Sequence, residues 1–323
     1  MRVHVVRWLV LFVLAMAASV SVSAAPPPAL SPRQSEWLGR HPTIILGMYD
    51  SGWPPFESMR DGKPVGLGYD YLSLLTKQLG VQVKVRMYRD WTDVLDAACR
   101  GEVDVVMNIT LTADRTRCMV YTRPYADAPL ALVGRPGDTR ASADPDLRGL
   151  RVVTEREFVT SEEVRARFPA ARRVIAANTT AALAMVGKGE ADVYIGNAYV
   201  ATTLIAEQRL TDVALLRPSD LPPERLHFGV PNAKQPLAEA LDAGLGALAE
   251  TERERLQRRW LKTPEWSVQS QMILGNAEKR VLATPLRLAF APNAAPLAFL
   301  DAANQPRGWR PSTCVCCAMW ART

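Results

Sequence analysis

Two short stretches of this chain repeat one another: Gly101-Glu102-Val103-Asp104-Val105 and Gly189-Glu190-Ala191-Asp192-Val193. Each follows a segment with helical periodicity and opens a short apolar run. Ahead of the first copy, Thr43 to Met48 reads as a buried strand, and Gly68 to Leu79 has apolar residues at helical spacing that stop at Gly80. Val81 to Tyr88 alternates apolar and polar residues like a half-buried strand, Trp91 to Arg100 is helical, and Val103 to Met107 is a strand. Ahead of the second copy the same order recurs. Leu150 to Thr154 is a strand, Thr160-Ser161-Glu162-Glu163 is a capping box opening a helix, and Asn178 caps the helix Thr179 to Val186. Ala191 to Ile195 is again a strand. This β-α-β-α-β order predicts an α/β protein with parallel or mixed sheets covered by helices, made twice over.

His227 to Val230 adds a strand, and helices follow over Pro236 to Leu248 and Glu250 to Leu261. The expected organisation is a signal peptide over 1–25, a Pro-rich spacer over 26–42, a main domain over 43–262 and a linker over 263–284. The leader rests on basic Arg2 and Arg7, the apolar run Trp8 to Ala18 and the small residues Val22-Ser23-Ala24. From 285 a second copy begins: Leu288-Ala289-Phe290, Pro296-Leu297 and Pro306-Arg307-Gly308 echo Ile45-Leu46-Gly47, Pro55-Phe56 and Pro64-Val65-Gly66, with one extra residue. After Trp309 the texture changes, so residues 285–323 are expected to be the truncated start of a second domain with an aberrant tail.

The formal net charge of +6 is spread along the chain, with no run suited to a nucleic acid. Cys99 reads as a small buried residue near a helix end, and a bridge to Cys118 is chemically permitted after export. Cys314, Cys316 and Cys317 lack the partners zinc requires, and neither a metal nor a cofactor is expected. The histidines are His4, His41 and His227, and no nucleophile has a base near it in sequence, so no enzymatic activity is expected.

An ordered series of landmarks carries a resemblance. It comprises Trp53-Pro54-Pro55-Phe56, Pro64-Val65-Gly66, Trp91, Gly101-Glu102-Val103-Asp104 and Thr112-Ala113-Asp114-Arg115. Tyr121-Thr122-Arg123-Pro124-Tyr125, Asp146-Leu147-Arg148-Gly149 and Trp260 complete it. From Thr43 to Leu261 the chain resembles the family 3 extracytoplasmic solute-binding proteins. The resemblance implies a two-lobed type II periplasmic binding protein, or Venus flytrap. Each lobe is then a mixed sheet flanked by helices, joined by two crossings near Ala131–Arg135 and Pro223–Phe228. Lobe one would take about 43–133 and 227–262, and lobe two about 134–226.

Arg115 opens a short helical turn capped by Thr112. With donors at Asn108 and Thr110 beside it, its guanidinium is suited to a two-pronged grip on a carboxylate. The family resemblance implies that role, against the rival reading of a surface ion pair. Trp53, on a Gly- and Pro-bounded loop, is expected to lie over a ligand, while Phe56 fills the core. Trp91 falls near the cleft or in the core, and Asp50 contacts an amine or forms a turn. In lobe two, Thr160 and Ser161 would offer a helix N-terminus. Asn197 stands where the family places the carboxylate that receives a ligand amine. That substitution disfavours a standard amino acid and leaves an organic acid, a modified ligand or no high-affinity ligand. The expected partner is therefore a carboxylate-bearing small molecule. The wider context would be the periplasmic part of a tandem-flytrap sensor kinase of the BvgS type, with a binding protein serving an ABC permease as the second reading and a periplasmic enzyme on the same fold as the third.

Overall fold

The structure is a computed structural model that describes residues 28–264 and, beyond them, strands at Asn293–Ala294, Ala298–Leu300 and Pro306–Arg307. The expected leader, most of the linker, and the tail with its three cysteines lie outside the described residues.

Within the expected spacer stands a helix, α1 (Pro32–Arg40). Ser31 and Gln34 cap it reciprocally, and Pro32 takes the first helical position, where a missing N–H costs nothing. Then come β1 (Thr43–Tyr49), the hairpin β2 (Ser58–Arg60) and β3 (Lys63–Val65), α2 (Leu67–Leu79), β4 (Gln82–Tyr88), α3 (Trp91–Cys99) and β5 (Val105–Ile109). After a single turn of 3-10 helix at Arg115–Arg117 follow β6 (Met119–Tyr121) and β7 (Ala126–Ala128). The chain next builds β8 (Leu130–Gly134), α4 (Arg140–Ala143), β9 (Arg151–Glu155), α5 (Val159–Arg167), β10 (Arg172–Ala176), α6 (Thr179–Gly187), β11 (Val193–Asn197), α7 (Ala198–Glu207) and β12 (Ala214–Pro218). It returns through β13 (Glu224–Pro231), α8 (Gln235–Ala247) and α9 (Glu250–Trp260).

Two sheets result, and they share one plan. The first has the order β4-β1-β5-β13-β6, with β7 also on β13; the second runs β10-β9-β11-β8-β12. In each, three parallel strands in the order second-first-third meet a strand running antiparallel, β13 in the first and β8 in the second. Leu130–Gly134 pairs with β11 and β12, so it belongs to lobe two. The first crossing therefore falls between β7 and β8, earlier than the expected 131–135. The second falls between β12 and β13, whose first residue Glu224 already pairs with Ala128 of the first lobe's sheet.

The repeated pentapeptide occupies equivalent places. Asp104 accepts from the Ile45 N–H at 2.5 Å and returns its own N–H to the Ile45 carbonyl at 2.7 Å. Asp192 makes the same reciprocal pair with Arg151, at 2.8 Å each way. In both lobes this aspartate ties the entry of the third strand to the first. Basic residues balance the charge: Lys234 lies 2.6 Å from Asp104, and Arg151 and Arg140 each lie 3.0 Å from Asp192.

Helix signals behave as their chemistry requires. Gly80 closes α2 in the left-handed conformation, and Asp90 and Asn178 cap α3 and α6 with their side chains. The expected capping box at Thr160 does not form. The N-cap of α5 is Phe158, which has no side-chain cap bond, and the Thr160 hydroxyl turns instead to Glu224. Trp260 donates to Asp70 at 2.8 Å, fastening α9 to α2. Cys99 and Cys118 are joined as a disulfide, Cα to Cα 5.1 Å, so Cys99 is not the free buried thiol expected.

Described by itself, the C-terminal unit has a three-stranded antiparallel arrangement of β14 (Asn293–Ala294), β15 (Ala298–Leu300) and β16 (Pro306–Arg307). Its pairs Phe299↔Arg307 and Leu300↔Pro306 repeat the pairs Ser58↔Val65 and Met59↔Pro64 of the first hairpin, offset by the one inserted residue.

Candidate functional site

The two crossings bring the ends of both sheets together, and a small cavity lies between them. From the first lobe it is lined by Tyr49, Trp53, Glu57, Trp91, Asn108, Thr110, Arg115 and Glu224, the last at the start of β13; Phe158 and Val159 come from the second.

Local structure explains each placement. Asn108, the penultimate residue of β5, has φ +56°, a left-handed conformation that asparagine tolerates better than most residues. Tyr125 locks it there, accepting from the Asn108 N–H at 2.8 Å and donating to the Asn108 Oδ1 at 2.6 Å. Gly68 permits this pair, since a Cβ at that position would stand 2.6 Å from the Asn108 Oδ1. Thr112 accepts from the Arg115 N–H at 3.3 Å, as the sequence suggested, and the guanidinium turns inward to donate to the Thr110 carbonyl at 3.0 Å. Its other terminal nitrogen donates across the cleft to the Glu157 carbonyl. The same guanidinium lies 6.0 Å from the Trp91 ring centre, at the outer reach of a cation–π contact. The surface ion-pair reading of Arg115 is not what the structure shows.

Phe158 closes the cleft from the opposite wall. Its ring sits 5.7 Å from that of Trp53 and 6.3 Å from that of Trp91, both within the range of aromatic pairing. Trp53 also stacks on the buried Phe56 at 5.1 Å. With these side chains in place the cavity measures about 20 Å³, room for a water molecule and too little for an organic ligand. Admission of a ligand requires Phe158 and the Arg115–Glu157 contact to move.

The polar groups differ from those expected. Asp50 is exposed and does not reach the cavity; its N–H continues the sheet to the Tyr88 carbonyl. Thr160 and Ser161 are buried behind the lining. Asn197 does not face the cavity either. Its side-chain oxygen caps α7, and its amide donates to Glu224 at 2.9 Å. The carboxylates present are Glu57 and Glu224, 2% and 6% exposed, which sequence reasoning missed. Burial pushes the Glu57 carboxyl up to about 8, an effect partly offset by the Asn108 amide beside it. Burial likewise raises Glu224 to about 7, against the hydrogen bonds from Asn197 and Thr160. Burial presses the Arg115 pKa down from its ordinary value. Among the described residues there is no group of three or more acidic, cysteine or histidine side chains placed to hold a metal.

A cleft between two α/β lobes, with a basic fork on one wall and aromatic rings on both, defines a protein that encloses a small solute. The chain belongs to the bacterial extracellular solute-binding proteins, family 3, whose model matches residues 44–263. It is similar to the virulence sensor protein BvgS of Bordetella bronchiseptica, 29% identical over 225 residues, covering 69% of this chain and 18% of that protein. The chain thus spans about a fifth of the curated relatives it matches first. The periplasmic VFT2 domain of Bordetella pertussis BvgS has the same fold, with a TM-score of 0.67 at 24% identity, covering 72% of this chain and 99% of that one. The crystal structure of the B. pertussis BvgS periplasmic domain matches with a TM-score of 0.61 at 25% identity, covering 90% of this chain and 57% of that one.

Proposed function

We propose that residues 43–262 form an exported, periplasmic ligand-binding domain that closes on a carboxylate-bearing small molecule and serves as the sensory part of a membrane sensor kinase. The observation carrying this is the inward Arg115 guanidinium at the junction of the lobes, held to the Thr110 carbonyl beside aromatic walls. A ligand carboxylate replaces the Glu157 carbonyl on the fork and accepts two charge-assisted hydrogen bonds, stronger than the neutral acceptor it displaces. Trp53 and Trp91 then cover the ligand. Contacts made by both lobes exist only when they are closed, so binding favours closure. The segments before β8 and before β13 are the hinge. The likeness to BvgS over 69% of the chain favours the sensor over a freely diffusing transport protein. So does the repeated hairpin register, which supports a second copy of the domain beginning near 285.

A thermal-shift screen of the purified chain against amino and organic acids tests this. At a hundredfold excess over Kd, one ligand is expected to raise Tm by about 5–10 °C. Arg115→Ala is expected to remove that rise. A ligand that stabilises both forms equally contradicts the assignment of Arg115.

A further inference from the structure

The disulfide stands between two elements that both carry site residues. Cys99 is the last residue of α3, whose first residue Trp91 lines the cavity. Cys118 closes the 3-10 turn that Arg115 begins, and its N–H donates to the Arg115 carbonyl at 3.2 Å. Between Thr110 and Cys118, the side chains of Leu111, Ala113, Asp114, Thr116 and Arg117 lie on exposed residues. Most bonds of this stretch are made within it: Arg115 to Thr110 and Thr112, Thr116 to Thr112 and Ala113, and Arg117 to Asp114. Its ties to the rest of the first lobe are few. Asn232 donates its N–H to the Cys118 carbonyl and its side-chain amide to the Arg117 carbonyl, both at 2.9 Å, and the bridge supplies the covalent tie.

The doubled plan of the two lobes does not demand this bridge. Aligning the repeated pentapeptides at Gly101 and Gly189 sets Cys99 opposite Gly187. Those residues end equivalent helices, α3 and α6, each of 9 residues. Lobe two makes the same corner with the same aspartate, and has a glycine where the cysteine would be needed. The bridge therefore belongs to the turn of Arg115 rather than to the sheet plan.

We propose that the Cys99–Cys118 disulfide is a redox-sensitive site that holds the Arg115 turn in its binding position, and that a dithiol reductant opens it and releases the turn. This rests on the role of Arg115 proposed above and adds its regulation. Both cysteines are positioning residues. Cys99 is exposed while Cys118 is half-buried against the core, so Cys99 Sγ is the sulfur open to attack. A thiolate of the reductant bonds to Cys99 Sγ as the bond between the two cysteines breaks, and Cys118 leaves as a thiolate that takes up a proton. The reductant's second thiol then attacks the mixed disulfide and frees Cys99 as a thiol. The reductant ends oxidised to its own disulfide, and the protein has gained two electrons and two protons. Nonbonded sulfur atoms stand farther apart than bonded ones, so the turn moves off the end of α3 with the Asn232 bonds left to retain it.

The test uses the whole chain carrying Cys314→Ser, Cys316→Ser and Cys317→Ser, so that reagents act on one bridge. Limited trypsin digestion read by mass spectrometry compares the oxidised protein with protein reduced by dithiothreitol. Cleavage after Arg115 and Arg117 is expected to accelerate at least tenfold on reduction. Cleavage after Arg209, an exposed residue of lobe two, is expected to change less than twofold, and re-oxidation to restore every rate. Equal rates in the two states overturn the proposal, because the turn then needs no bridge. Equal acceleration at all three sites overturns it too, since reduction then unfolds the whole domain. So does a bridge that dithiothreitol opens only in denaturant. Calorimetry with the amino or organic acid giving the largest thermal shift is the second readout, with affinity expected to fall at least tenfold on reduction. Unchanged affinity beside faster cleavage contradicts the positioning role. If no acid in the screen binds, the binding function falls, and digestion still decides whether the bridge holds the turn.

Discussion

Arg115 of the first lobe donates a hydrogen bond to the backbone carbonyl of Glu157 in the second. Glu157 has φ +61°, a left-handed conformation that side chains other than glycine, asparagine and aspartate seldom adopt, and it turns that carbonyl toward the cleft. The pair marks the spot where a ligand acceptor is expected. Arg115→Lys keeps the charge and loses the planar fork, so affinity for the screened ligand is predicted to fall at least tenfold in calorimetry. Unchanged affinity would show that only charge matters there.

Phe158 bridges the two tryptophans of the opposite wall. Phe158→Ala removes two aromatic contacts worth about 0.5–1.5 kcal/mol each and exposes Trp53 and Trp91. The expected readouts are red-shifted tryptophan emission and a larger radius of gyration by small-angle scattering. Emission identical to wild type contradicts Phe158 as a closing contact.

Stability should have its maximum near pH 5. Glu57 and Glu224 have folded-state values raised by burial, to about 8 and about 7, so their contribution is full below the unfolded value and is lost as pH rises toward 8. Asp192 has the opposite sign: hydrogen bonds from Arg151 hold it well below the ordinary range, and its contribution is lost as pH falls below about 4. Urea unfolding at pH 5 and pH 8 is predicted to differ by a few kcal/mol, on the order set by the two raised groups. Glu57→Gln should flatten the alkaline limb.

Asp192 also joins β9 to β11 and carries Arg151 and Arg140. Asp192→Asn is expected to cost about 2–4 kcal/mol in urea unfolding, and Asp104→Asn a comparable amount in the other lobe. A loss in one lobe only would deny that the two aspartates are equivalent.

The Cys99–Cys118 bridge spans 19 positions and closes the segment that carries Arg115. Reduction, or the double serine variant, is predicted to lower stability by about 3 kcal/mol. No change on reduction would mean that the thiols are free in solution.

Much of this was readable from residue order. The doubled Gly-Glu-x-Asp-Val stretch found the equivalent corners of both sheets, because an aspartate there bonds the first strand in each lobe. Helix ends were legible where one residue sets the geometry, as at Gly80 and Asn178. Arg115, Trp53, Trp91, Asn108 and Thr110 all line the cavity, since each sits at or just beyond a strand end. Lobe two was read less well. Its side of the site departs from the family pattern at Arg156 to Ser161, and that departure is Phe158 filling space a smaller residue would leave. Thr160 looked like a cap because capping and cleft bonding use the same hydroxyl. Glu224 was hidden for a different reason: its partners Thr160 and Asn197 are 64 and 27 positions away, and only the crossing of the chain joins them.

A crystal structure of the chain with its tightest screened ligand tests the central claim most directly. It should show the ligand carboxylate on both terminal nitrogens of Arg115, with Phe158 withdrawn from between Trp53 and Trp91. A ligand bound elsewhere, while Arg115 still holds the Glu157 carbonyl, would contradict it.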